Sequence, residues 1–102
     1  MHGRDDAVFR YGSIAVHPLA VGTVMVAAAA VTEYQVRQTR RGVDVAVVAG
    51  HGLDQRALAA AVRDSLRRAG LPDPDVTVRV TRAIPRHPDT GKTRRFIPIQ
   101  SP

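Results

Sequence analysis

Thr32-Glu33-Tyr34-Gln35-Val36-Arg37-Gln38, followed by Arg40-Arg41-Gly42 and then Val43-Asp44-Val45-Ala46-Val47-Val48, is the stretch whose reading decides the fold. In an extended chain successive side chains point to opposite faces. The first run therefore puts Tyr34 and Val36 on one face and Glu33, Gln35 and Arg37 on the other. Arg40-Arg41-Gly42 supplies a turn, and the alternation resumes from Val43. The pattern predicts a β-hairpin with one buried face.

Working outward, the next segment carries a helix with both ends marked. Asp54 suits the N-cap, and Leu53 can staple onto Leu58. Leu58, Val62 and Leu66 recur every four residues, with Ala61 and Ala69 beside them, while Arg56, Arg63, Asp64 and Arg67 lie off that row. Gly70 suits the left-handed position after the helix, Leu71 can fold back on Leu66, and Pro72 prevents continuation. Val76, Val78 and Val80 then alternate with Thr77, Arg79 and Thr81 as a strand. On the other side, Val8-Phe9-Arg10-Tyr11 and Ser13-Ile14-Ala15-Val16 read as extended segments around Gly12. Pro18 suits the first turn of a helix over 18–29. Leu19, Val21, Val24, Met25 and Val26 cover most of its circumference, so it calls for cover on more than one side. The order strand, helix, strand, strand, helix, strand predicts an α+β, ferredoxin-like βαββαβ fold. Its antiparallel sheet would carry two helices on one face and end in a basic C-terminal loop.

Composition fits one domain over 1–102. The chain has 102 residues, 44% hydrophobic and 24% charged, which is the balance of a globular chain rather than a disordered one. The absence of cysteine excludes a disulfide scaffold, a thiolate metal site and a cysteine nucleophile. Residues 11–32 contain no charged side chain, but His17-Pro18 and Gly22 interrupt them, which favours a buried helix over a membrane span. Met1-His2-Gly3-Arg4-Asp5-Asp6 has no apolar run and does not read as a secretory signal. A cytoplasmic location, with no membrane partner, is the expectation.

The net charge of +6 favours phosphate-bearing partners, and most of it sits beyond the last strand. Residues 82–102 hold Arg82, Arg86, Lys92, Arg94 and Arg95 against one acid, Asp89, a net of +4. Pro85, Pro88 and Gly91 place this charge on a loop. Lys92 is the only lysine beside fourteen arginines. An ammonium is a compact point charge and a guanidinium a planar fork, so a lone lysine after Gly91 is either a geometric requirement or a chance survivor of arginine-biased composition. Gly91-Lys92-Thr93 is not a P-loop. Position 86 is arginine where that loop needs glycine, and Pro98 follows where it needs a helix. His17 and His51 are isolated, His2 and His51 show no metal-ligand spacing, and His87 lacks a carboxylate at a distance that signals general-base work.

Pro85-Arg86-His87-Pro88-Asp89-Thr90-Gly91-Lys92-Thr93-Arg94-Arg95-Phe96 resembles the last core motif of adenylate-forming enzymes. Its Thr-Gly-Lys-x-Arg-Arg-Phe ending is most similar to the phenylacetate-CoA ligase branch. Gly3-Arg4-Asp5-Asp6, with the extended segment, Gly12 and Pro18 after it, resembles the hinge and first strand of that family's C-terminal domain. Glu33-Tyr34-Gln35-Val36 resembles the strand after its first helix. The three motifs occur in order along nearly the whole chain.

The resemblance implies the mobile C-terminal (lid) domain of a ligase that activates a carboxylic acid with ATP and passes the acyl group to a thiol, on CoA or an acyl carrier protein. Lys92 would be the catalytic lysine of adenylation, and Arg4, Asp5 and Asp6 in residues 1–7 the hinge. Arg86, Gly91, Arg94 and Arg95 would bind phosphate or CoA. One residue that the family usually places between the arginine and its paired acids is missing, which leaves open whether Asp5 or Asp6 is the pivot. ATP, Mg2+ and CoA are implied as well, held mainly by a large N-terminal adenylating domain in cis or in trans. The chain alone would not be a complete enzyme. For Lys92 the alternative is a solvated loop cation, for Asp5 and Asp6 an acidic, frayed terminus, and for Arg94 and Arg95 a solvated patch.

Two other functions compete. A basic RNA-binding module would stack bases on strand aromatics. Here the central strands offer Tyr34 alone, itself better read as core, so the sequence argues against nucleic acid. A non-catalytic interaction domain would use the uncharged first helix or an open sheet edge.

Overall fold

A computed structural model describes residues 8–84 and 95–99. The chain first reverses at Gly12, whose φ of 63° is the left-handed conformation needed at the first position of a tight two-residue loop. The loop joins β1 (Phe9–Tyr11) to β2 (Ile14–Val16), paired antiparallel from Phe9↔Val16 to Tyr11↔Ile14. Phe9 and Val16 are fully buried.

Helix α1 (Leu19–Ala27) starts after Pro18, and the Nδ1 atom of His17 accepts the Leu19 N–H at 3.2 Å. It stops two residues before the expected end, because Ala28 turns extended at ψ 100° and feeds the next strand. Val21, Gly22 and Met25 face the core. The expected cover on more than one side comes from the sheet and the second helix, and what stays bare is the strip carrying Leu19, 60% exposed, and Val26, 78% exposed.

Strands β3 (Val31–Gln38) and β4 (Gly42–Ala49) form the hairpin that their alternation predicts, with Val36 opposite Val45. Val36, Val43, Val45 and Val47 are buried in one cluster with Val21 and Met25 of α1. Helix α2 (Gln55–Arg68) adds Leu58, Val62 and Leu66 to the same cluster. Its ends are built as the sequence reads: the Ala57 N–H donates to Asp54 Oδ1 at 3.1 Å. Gly70 takes φ 109°, and the Leu71 N–H closes back onto the Leu66 carbonyl at 3.0 Å. The Ser65 hydroxyl donates to the Ala20 carbonyl and ties the two helices together.

Strand β5 (Asp75–Val80) returns parallel to β4, and β6 (Phe96–Ile97) lies parallel to β3, giving a four-stranded order β5-β4-β3-β6. This corrects the expected ferredoxin-like antiparallel sheet. Among the described residues, β3–β4 is the one antiparallel pair of a mixed sheet. The N-terminal extended segments form their own two-stranded ribbon instead of joining it. The aperiodic tail, expected to be loop throughout, contributes the strand at the β3 edge.

Gly42 is the corner where these pieces meet. Its carbonyl accepts the Tyr11 hydroxyl at 2.7 Å and the Thr39 N–H at 2.9 Å. It pairs with Asp75 at the start of β5, so closely that a Cβ on Gly42 would lie 1.9 Å from the Asp75 carbonyl oxygen. Only strand separation relieves a clash with backbone. Gly42→Ala should therefore lower stability by roughly 3 kcal/mol and the melting temperature by roughly 15 °C. Gly50→Ala, with nothing within 4 Å, should change little. Similar thermal melts for the two variants would refute the constraint.

Burial pushes the Tyr11 phenol up to about 12. An unfolded phenol ionises nearer 10, so the folded state holds its proton longer. Stability should be flat in this respect below pH 10 and fall between pH 10 and 12. Urea midpoints across that range should show the decline in the native protein and a smaller one in Tyr11→Phe. Equal slopes would mean that another group is responsible.

Candidate functional site

The basic segment at 82–94 returns to the described structure at Arg95, and the way it is received there defines the candidate site. The outer edge of β3 presents unpaired backbone groups, and the tail fills them. The Val36 N–H donates to the Arg95 carbonyl at 2.6 Å, and Phe96 and Ile97 pair in register with Val36 and Arg37. A two-residue strand has little ladder of its own, so side chains must hold it.

Three of them do. The Phe96 ring meets Tyr34 edge to face, with centroids 6.0 Å apart and planes at 61°, a geometry favoured by the ring quadrupoles. Phe96 also lies over Gly22 of α1: a Cβ there would sit 3.2 Å from the ring and 3.8 Å from the Tyr34 hydroxyl oxygen. Glycine thus opens the slot for the ring. The exposed Arg95 guanidinium stands 5.6 Å from the Tyr34 ring centroid, a cation–π contact of about 0.5–1 kcal/mol when exposed.

Beyond β6 the Ile99 N–H donates to Gln38 Oε1 at 3.1 Å, while Gln38 Nε2 donates to the Arg10 carbonyl at 2.6 Å. The buried amide of Gln38 joins the ribbon to the end of the tail.

Of the residues expected to form the hinge, catalytic and phosphate-binding sites, Arg95 alone falls among those described. Arg4, Asp5, Asp6, Arg86, Gly91, Lys92 and Arg94 lie outside them, as does His87. Tyr34, read as core, is half-buried and serves as the platform for Arg95 and Phe96. Gly22 and Gln38 were not singled out as site residues. Gln38 had a visible signal, because it occupies the third position of the row Tyr34, Val36, Gln38, a polar amide on an otherwise apolar face. Gly22 had none, since nothing local says that an aromatic ring from the far end of the chain will rest on it.

Other features lie apart from this site. A groove of about 990 Å³ runs between the C-terminal half of α1 and α2, walled by Ala27, Ala57 and Ala61, with Asp64 and Arg68 at its rim, and includes none of the residues that hold the tail. Among the described residues no group of three His, Cys, Asp or Glu comes together. No helix formed by the described residues is long and apolar enough to cross a membrane. The Tyr34 ring is engaged by Arg95 and Phe96.

No protein-family profile matches the chain, and no curated protein matches it in sequence. Among solved structures it is similar to the acyl-CoA synthetase of Brucella canis, with a TM-score of 0.62 and 22% identity over 91% of this chain. The match takes in only 18% of that enzyme, so the chain shares the fold of a small part of a much longer polypeptide.

Proposed function

We propose that this chain is the C-terminal lid domain of an adenylate-forming acid–thiol ligase of the acyl-CoA synthetase type, within or close to the phenylacetate-CoA ligase branch. The observation that carries this reading is the coincidence of two independent likenesses. The fold corresponds to a small part of an acyl-CoA synthetase, and the Gly91-Lys92-Thr93-Arg94-Arg95-Phe96 run has the wording of that class of enzyme's last motif.

In the proposed reaction a carboxylate oxygen attacks the α-phosphorus of ATP. The bond to the bridging oxygen breaks, pyrophosphate leaves, and an acyl-adenylate forms. A thiol, of CoA or a carrier protein, then attacks the acyl carbon and AMP leaves. Lys92 supplies the first step with an ammonium that neutralises charge gathering on the nonbridging oxygens and draws the two anionic reactants together. Arg4, with Asp5 or Asp6, forms the hinge about which the domain turns. Arg86, Arg94 and Arg95 meet phosphate groups. Mg2+, most of the nucleotide pocket and the acid pocket belong to a large adenylating domain, in cis or in trans.

Arg95 supports this assignment physically. It is exposed, and a ring contact worth little more than thermal energy holds it, so a phosphate can recruit it without breaking a buried ion pair.

The test is reconstitution with the adenylating domain and measurement of carboxylate-dependent pyrophosphate exchange. Lys92→Ala should slow exchange by about 100-fold or more, while thioester formation from supplied acyl-adenylate stays close to native. Lys92→Arg should also be poor, because a planar fork does not replace a point charge. Equal loss in both half-reactions, or no loss in either, refutes the role.

A further inference from the structure

Gln38 stands where β3 calls for an apolar side chain. It follows Tyr34 and Val36 on the core-facing row and is only 5% exposed. Burying an amide at such a place is costly unless both of its ends are bonded. Both are, and neither bond serves β3 itself. Nε2 donates to the Arg10 carbonyl on β1, and Oε1 accepts the N–H of Ile99, two residues past β6. The amide acts between two distant parts of the chain.

From these contacts we infer that Gln38 is a positioning residue, which fixes the register of β6 and through it the point from which the Lys92 segment departs; the inference rests on the reading of Lys92 given above. A strand paired only at Phe96 and Ile97 is open to slippage. A slip of one residue reverses every side chain, lifting Phe96 off Gly22 and Tyr34 and removing the Arg95 carbonyl from the Val36 N–H. Pinning Ile99 on one side, with Phe96 seated on the other, leaves one register. Lys92 is three residues upstream of Arg95, a tether no longer than about 11 Å, so a change in the register of β6 moves the point to which that tether is tied.

The first measurement is amide exchange on the chain itself. The Val36 N–H reports the seating of β6, and the Leu71 N–H, bonded to Leu66 in the helix cap, reports a region that β6 does not touch. Gln38→Met keeps length and removes both polar ends. It should accelerate Val36 exchange at least tenfold and leave Leu71 within about twofold. The second measurement is pyrophosphate exchange by the chain assembled with its adenylating domain, using acetate and phenylacetate as probe acids. Gln38→Met should lower kcat on the order of ten- to a hundredfold with KM for ATP unchanged.

Gln38→Glu supplies a rescue. A protonated carboxyl keeps one donor and one acceptor, and an ionised one loses the donor to Arg10. Its adenylation rate relative to native should therefore rise as pH falls. This variant also carries the test should Gln38→Met fail to fold. Equal acceleration at Val36 and Leu71, or a released β6 with native kcat, overturns the positioning role while Lys92→Ala still abolishes adenylation. Native adenylation by Lys92→Ala overturns the parent reading and this inference together.

Discussion

The outer edge of β3 imposes the constraint from which the rest follows. One side of β3 is satisfied by β4. The other presents backbone groups, the Val36 N–H among them, next to a fully buried Val36 side chain. Such an edge must be paired or covered, since unpaired backbone groups beside a core are costly and invite foreign strands. The chain meets the requirement with Arg95–Phe96–Ile97. Because the segment that closes the edge is also the end of the basic tail, a requirement of the sheet decides where the charge of this protein is anchored.

Two glycines make that solution possible by opposite means. At Gly42 the crowding is backbone against backbone, so the missing Cβ lets β5 begin beside β4 and lets the Tyr11 hydroxyl reach the corner. At Gly22 the crowding is ring against helix, so the missing Cβ admits Phe96. One glycine sets the parallel register on one side of the sheet, and the other seats the strand on the opposite side. Helix propensity alone disfavours Gly22 by about 1 kcal/mol, which tertiary packing of the ring offsets.

The elements legible in the sequence are those whose reasons are local. Asp54, Gly70 and Leu71 mark the ends of α2 because caps act within a few residues of themselves. The β3–β4 hairpin is legible because its two alternating runs are joined by a short turn. What failed is what depends on partners far along the chain. The pattern of Val8–Tyr11 and Ser13–Val16 announces extended chain but not whether it joins the main sheet or forms a ribbon. The pair Phe96–Ile97 is too short to show a period, and its partner lies sixty residues away. The parallel pairing of β5 is equally non-local. Arg95 was legible as a member of the basic run, whereas its aromatic platform required the sheet to bring Tyr34 and the tail together.

The geometry of this anchor also shows how the aromatic residues are used. A stacking surface for bases needs free aromatic faces. Phe9 is buried, Tyr11 spends its hydroxyl on Gly42, and Tyr34 is shared between Phe96 and Arg95. Each of the described aromatics thus takes part in holding the chain. The scaffold uses aromatic and amide groups to fix residues 95–99 on the edge of β3. The Gly22–Phe96–Tyr34 stack holds that segment by packing and the Gln38 amide holds it by hydrogen bonds, so two different kinds of interaction converge on one register.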